Sequence, residues 1–128
     1  MLPKAKTFWY LATPYSSHPG GIYQAFREAC MARWGLFEAG VPCYSPIVET
    51  HPLALQLGVD PLAHAIWLPF DAPMMRAASG LIVVMMPGWR ESKGMNYERT
   101  VFEQAQKPVR FMSWPIDGEV HILASKED

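Results

Sequence analysis

The chain is 128 residues long, half of them hydrophobic and 18% charged, with a net charge of -1. That length suits one compact domain spanning residues 1–128 and leaves no room for two. The near-neutral balance excludes a surface that grips nucleic acid and gives no sign of a charged, unfolded tail.

The opening stretch, MLPKAKTFWYLATP, carries no cleavable signal pattern. The longest strongly apolar run, residues 81–86, is far short of the ~20 residues that span a bilayer, so a cytoplasmic protein without a membrane partner is expected. Residues 7–12, TFWYLA, read as a buried strand entering the turn-rich loop TPYSSHPGG. From residue 21 to 39, Ile22, Phe26, Ala29, Cys30, Arg33 and Phe37 recur at helical spacing, with Gly40 as the stop. Arg33 interrupts that stripe and is expected to snorkel. Residues 41–45 form a second short strand, and the passage 45–61, SPIVETHPLALQLGVDP, has no clean period. It reads as a long functional loop or a partly helical excursion.

Residues 64–78 are broadly helical, but Pro69 and Pro73 predict two short pieces, the second beginning near Asp71. The run LIVVMM, 81–86, has the continuous apolar character of a central strand covered on both faces. A loop, 87–92, leads into a helix over 92–107. Residues 108–112, PVRFM, give a further parallel strand, and 120–123 a last edge strand before the charged end 125–128. This β-α-β-α-β-α-β order predicts a three-layer α-β-α, Rossmann or flavodoxin-like fold with a parallel sheet of four to five strands. In such a sheet ligands sit beyond the carboxyl ends of the strands, where the loops 13–21, 45–51 and 87–94 meet.

Glu98 is the residue out of place. In a helix over 92–107 it shares one face with Met95, Val101, Phe102 and Ala105, so a carboxylate lies mid-stripe on the core side. Such a group needs a partner or a chemical task. Pairing with Arg33, Arg76 or a tyrosine is the structural alternative to a nucleophile or general base. Gly94, one turn earlier, leaves space above the carboxylate for a ligand. Asp71 reads as a helix N-cap before Ala72 and Pro73, or as the second of two acids that converge on a glycosidic bond. Ser92 reads as an N-cap that could also bind an anion, with Arg90 and Lys93 adding positive charge.

Ser16, Ser17, His18, Gly20 and Gly21 offer small polar contacts in the first loop; Tyr10, Tyr15 and Tyr97 could hydrogen-bond a carboxylate, and Tyr15 is the best placed, at a strand end. Tyr10 reads as core packing. His51, in ETHP, either lines the cleft or caps a loop. No HExxH or paired Cys/His spacing is present, and Cys30 and Cys43 lack CxxC spacing, so neither a metal nor a cofactor is predicted. GWRESKG lacks the spacing of a phosphate loop that binds ATP.

Three features carry a resemblance across residues 8–113: YLATPYS at the first strand, the Asp71 region ahead of the LIVV strand, and S-x-G-x-x-Y-E from Ser92 to Glu98. Together they resemble the nucleoside 2-deoxyribosyltransferase superfamily. The closer likeness is to a small branch with YLASPYS, SP...HP, WLPxD, PGWxxSKG and KPVR signatures, in which Trp89 and Arg90 fall beside the site. The resemblance implies that Glu98 is the nucleophile attacking the anomeric carbon and that Asp71 assists the leaving base. It also implies that Ser92, rather than the acid usual in the transferases, contacts a 5'-phosphate as in the 2'-deoxynucleoside 5'-phosphate N-hydrolases. The chain departs from the hydrolases in two places: TPYSSHPGG replaces their Gly- and Arg-containing phosphate loop, and Ser79 replaces an acid before the central strand.

The expected activity is therefore cleavage of the N-glycosidic bond of a nucleoside or a (deoxy)nucleoside 5'-monophosphate. Base transfer and ligand sensing without turnover are the alternatives. The resemblance further implies a homodimer or higher homo-oligomer, which fits five tryptophans and eight methionines in so short a chain.

Overall fold

The computed structural model describes Leu2 and residues 6–126. The elements run β1 (Trp9–Ala12), α1 (Gly21–Glu38), β2 (Cys43–Tyr44), α2 (Pro46–Leu57), α3 (His64–Ala77), β3 (Gly80–Val84), α4 (Lys93–Gln104), β4 (Val109–Met112) and β5 (Ile122–Leu123). The sheet order is β2-β1-β3-β4-β5. The first four strands are parallel, with Tyr10 beside Tyr44 and Leu81, and Ile82 beside Arg110. The last, β5, runs antiparallel to β4, pairing Phe111 with Leu123, so the sheet is mixed and mostly parallel. Reaching β5 needs only the short excursion 113–121, too short for a crossover back to a parallel edge. The expected charged end falls partly outside the described residues, which stop at 126; the opening stretch falls partly outside them too.

Strand alternation divides the core in two. Tyr10, Ala12, Leu81, Val83 and Phe111 face Met75, Met95 and Phe102 of α3 and α4. Trp9, Leu11, Ile82, Val84 and Met112 face Ala32 and Leu36 of α1. Helices on both faces of the sheet give the three-layer α/β architecture. The buried face of α1 is Ala25, Ala29, Ala32 and Leu36, rotated from the expected stripe, and both Arg33 and Phe37 lie outside it in solvent.

Two expectations need correction. Residues 46–57 are a regular helix, so of the two readings of this passage the loop fails and the helical excursion holds. Ser45 caps it by accepting from the Val48 N–H at 3.2 Å, Pro46 stands at its start, and Gly58 closes it at φ 67. Residues 64–77 are one helix, α3, with Asp71 in its middle rather than at a cap. Pro69 and Pro73 are four residues apart and both exposed, so the carbonyls they leave unbonded lie on the solvent side, where water can satisfy them.

Candidate active site

The sheet order reverses between β1 and β3, and a cleft of about 490 Å3 opens beyond the carboxyl end of β1. Its floor holds Tyr10 and Thr13 from β1 and its end, Asp71 from α3, and Ser92, Gly94 and Glu98 from the start of α4. Its wall is apolar, built from Ile47 of α2 and from Leu62, Trp67 and Leu68 around α3. The Trp67 indole N–H is tied to the Asp60 carbonyl at 2.9 Å. His64 meets the edge of Tyr97 at a ring separation of 5.4 Å across the mouth. A planar, partly apolar ligand with several hydroxyl or anionic groups matches this division of surface.

Glu98 is half-buried: protein surrounds the carboxylate, and its remaining access is through the cleft. Burial pushes its pKa up to about 8. The Tyr10 hydroxyl works against that shift, and the charge of Asp71 reinforces it. Burial likewise raises Asp71 to about 6, opposed by a hydrogen bond from Tyr44 and by nearby His64. The Tyr44 hydroxyl donates to the Asp71 carboxylate at 3.4 Å. The two acids therefore behave as a pair that keeps one proton at neutral pH, and Glu98 holds it. This is the reverse of the charges that a Glu98 nucleophile and an Asp71 acid require at the moment of reaction.

Tyr10 is fully buried, its ring packed against Tyr44 and Phe102 at 5.6 and 5.7 Å. Its hydroxyl lies close enough to Glu98 to favour the carboxylate anion, yet no hydrogen bond of proper geometry forms. Burial, then the charges of Glu98 and Asp71, raise its pKa and hold it protonated as a donor. The Thr13 hydroxyl is also buried without a partner. Two sealed, unsatisfied hydroxyls on one cleft floor are uncommon in a finished core, and a ligand can supply what they lack.

Ser92 caps α4, accepting from the Met95 N–H at 3.2 Å. Its own hydroxyl proton remains free to donate, beside the unpaired N–H groups of the first turn. Lys93 and Ser16 stand exposed at the rim. At Gly94 an added Cβ would meet only the Ser92 Oγ, at 4.0 Å, so the space above Glu98 is open. Ala105, expected on the inner face of α4, is exposed at its C-terminal end.

Tyr15 reaches the cleft, and its hydroxyl is hydrogen-bonded to Nδ1 of His51. Burial raises the Tyr15 pKa to about 12 and lowers that of His51, so the tyrosine donates and a neutral imidazole accepts. His51 itself is buried behind the wall, stacked on Phe26 at 4.4 Å. Four of the expected binding residues are not brought to the cleft. His51 supports Tyr15 from behind. Ser17 donates to the Gly88 carbonyl at 2.8 Å, where the positive φ of Gly88 and its lack of a Cβ let the two loops touch. Trp89 is buried against Phe111, and Arg90 stacks on Trp89 at 4.6 Å on another surface. His18 is likewise structural, bonded to Glu28 at 2.8 Å and accepting from the Gly20 N–H.

Tyr44 is not singled out by the sequence, Thr13 falls in the loop 13–21 without a role of its own, and core packing is the favoured reading of Tyr10 although its hydroxyl reaches the cleft. Period-two alternation puts Tyr10 and Ala12 on the α4 face, but nothing in the local pattern says that face opens at its end. Among the described residues no group of three or more His, Cys, Asp or Glu side chains is placed to hold a metal, and no helix is long and apolar enough to cross a membrane. The chain belongs to the family described as a domain of unknown function (DUF1937), whose model matches residues 7–114. That match includes every residue of the cleft floor. Comparison with curated proteins gives no match.

Proposed function

We propose that this DUF1937 chain is an N-glycosidase that cleaves the bond between sugar and base in a nucleoside or a (deoxy)nucleoside 5'-monophosphate. The observation that carries this reading is the convergence of Glu98 and Asp71, from two different helices, on one cleft with an open helix N-terminus a turn away. Two carboxyl groups sharing one proton are the usual equipment for breaking a glycosidic bond. The first turn of α4, with Ser92 and Lys93, suits the phosphate of a nucleotide, and the apolar wall suits its base.

In the reaction, a Glu98 carboxylate oxygen bonds to C1' as the C1'–N bond breaks. The electron pair of that bond goes to the base nitrogen, which takes a proton from Asp71 or from solvent. Water then adds at C1' as the bond to Glu98 breaks and its electron pair returns to the carboxylate; the water's proton goes to Asp71 where Asp71 protonated the base, and to solvent otherwise, and the sugar leaves with retention of configuration. The proton held by Glu98 passes to Asp71 as the C1'–N bond begins to break. A positive charge growing at C1' favours that transfer, because it stabilises the nearby Glu98 anion. If a second base replaces water, the outcome is base exchange.

The raised pKa of Glu98 also favours a second reading, a nucleotide-binding module that does not turn over. Chromatography of free base after incubation with a panel of nucleosides and nucleoside 5'-monophosphates separates these. Release identifies a hydrolase, and exchange with added base identifies a transferase. Saturable thermal stabilisation without release identifies a binding module.

A further inference from the structure

The cleft has a second helix start besides that of α4. β1 and β2 are parallel neighbours, so the residues that follow them, Thr13 and residues 45–47, emerge side by side at one end of the sheet. Thr13, Pro46 and Ile47 all line the cleft there. The first N–H groups of a helix find no partner inside it. In α2 the Val48 N–H goes to the Ser45 hydroxyl and the Glu49 N–H to the Ser45 carbonyl, each at 3.2 Å, and Pro46 has none to give. The Ile47 N–H is the one left over.

A second observation points to a ligand at the same end. Thr13 is 5% exposed, and its hydroxyl has no partner. The Thr50 hydroxyl nearby is spent on the Pro46 carbonyl at 2.8 Å, so it does not supply one. Among the described residues the one Lys or Arg lining the cleft is Lys93, at the start of α4. Two neutral donors without a cation suit an oxygen that is uncharged at rest and gains negative charge in the reaction, rather than a standing anion. Tyr44 closes β2 and donates to Asp71 at 3.4 Å, so the acid that serves the departing base stands at this end too.

We propose that the Ile47 N–H and the Thr13 hydroxyl form a donor pair for the carbonyl oxygen beside the glycosidic nitrogen, O2 of a pyrimidine base, which makes pyrimidine nucleosides or their 5'-monophosphates the substrate class. This rests on the glycosidase reading and adds to it the base and the group that carries its charge. As the C1'–N1 bond breaks and a Glu98 oxygen bonds to C1', the electron pair passes to N1 and by conjugation to O2. The two donors hold that charge until N1 takes its proton from Asp71 or from solvent. Their hydrogen bonds strengthen as the charge grows, so they favour the transition state over the bound substrate. In a purine the atom at that place is the ring nitrogen N3, and the pair settles mainly in the five-membered ring, so the same donors gain less.

The test is kcat/KM for base release from uridine and 2'-deoxyuridine 5'-monophosphates and from their adenine and guanine counterparts, in the parent, Thr13→Val and Thr13→Ser. The parent is expected to release the pyrimidine at least about tenfold faster. Thr13→Val should slow pyrimidine release by roughly 10²- to 10³-fold, as for loss of one donor to a developing oxyanion, and purine release by less than about tenfold. Thr13→Ser keeps the hydroxyl and should keep most of the pyrimidine rate. In Thr13→Val a 5-fluorouracil leaving group, which carries negative charge more easily, should recover more of the rate than it adds in the parent. Purine release as fast as pyrimidine release by the parent, equal losses on both classes in Thr13→Val, or a Thr13→Ser as slow as Thr13→Val would each overturn the proposal while leaving the glycosidase reading intact. No release from either class would overturn both.

Discussion

Asp71 and Glu98 face one cleft from neighbouring helices, and the charge on Asp71 helps keep the proton on Glu98. Tyr44 donates to Asp71, whereas Tyr10 stops short of a formed hydrogen bond to Glu98. Burial is the largest cause of both raised values and acts more strongly on Glu98, which makes the following outcomes specific.

If one carboxyl must be ionised and the other protonated, kcat/KM is bell-shaped, with limbs at about 6 and about 8, the values to which burial raises Asp71 and Glu98. In Asp71→Asn the neighbouring charge is gone, so Glu98 titrates below 8. The remaining activity, lower by roughly 10²- to 10⁴-fold, should rise with pH through that midpoint and then stay flat. A persistent alkaline fall in this variant would assign the upper limb to another group.

Stability should show the same proton. The folded-state pKa of Glu98 is raised above its ordinary 4.5 to about 8, so its contribution is fully present below 4.5 and is lost as pH rises through 8. Glu98→Gln removes that loss, because an amide never ionises. Its Tm should match the parent's at about pH 5 and exceed it above about pH 8, a gain of a few kcal/mol at most. Equal Tm values across that window would mean that Glu98 titrates normally.

Thr13→Val tests whether the buried hydroxyl waits for a ligand. Removing an unsatisfied polar group in favour of a methyl of the same shape is neutral or stabilising for the empty protein. The same change should weaken nucleotide binding by about tenfold, the worth of one hydrogen bond to a charged group. Thermal shift with and without nucleotide reads both. A destabilised empty protein would show that Thr13 has a structural partner.

Gly94→Ala separates space from fold. Nothing but the Ser92 Oγ, at 4.0 Å, meets the added methyl, and alanine gains about 0.5–1 kcal/mol over glycine in a helix. The variant should therefore melt no lower than the parent and bind nucleotide more weakly, because the methyl fills the opening above Glu98. Unchanged affinity would place the ligand elsewhere in the cleft.

The sequence showed α4 clearly, because its signals are local: an N-cap serine, an apolar stripe and one misplaced acid in Glu98. The central strand was equally plain, since a run covered on both faces needs no alternation. Residues 46–57 were harder. Pro52 and the missing period hid a helix whose Ser45–Pro46 start and Gly58 stop were in view, and burial of His51 and Ala54 against α1 decides it. Two prolines suggested a break in α3, but both fall on the solvent side, where the lost bonds matter least. The direction of β5 depends on how a nine-residue excursion turns, and neighbouring residues do not encode that. His51, Ser17, Trp89 and Arg90 lie in the expected loops, yet packing turns them behind or away from the cleft. Tyr10 and Thr13 reach it only because β1 ends where the sheet order reverses.

The most direct test of the central claim is base release from nucleoside 5'-monophosphates by the parent and by Glu98→Gln, both shown to be folded by their melting curves. The predicted result is release by the parent that falls by at least about a hundredfold when the Glu98 carboxylate becomes an amide. Release at the parent rate by Glu98→Gln would contradict a Glu98 nucleophile. No release by either protein from any nucleotide or nucleoside would contradict the glycosidase assignment itself.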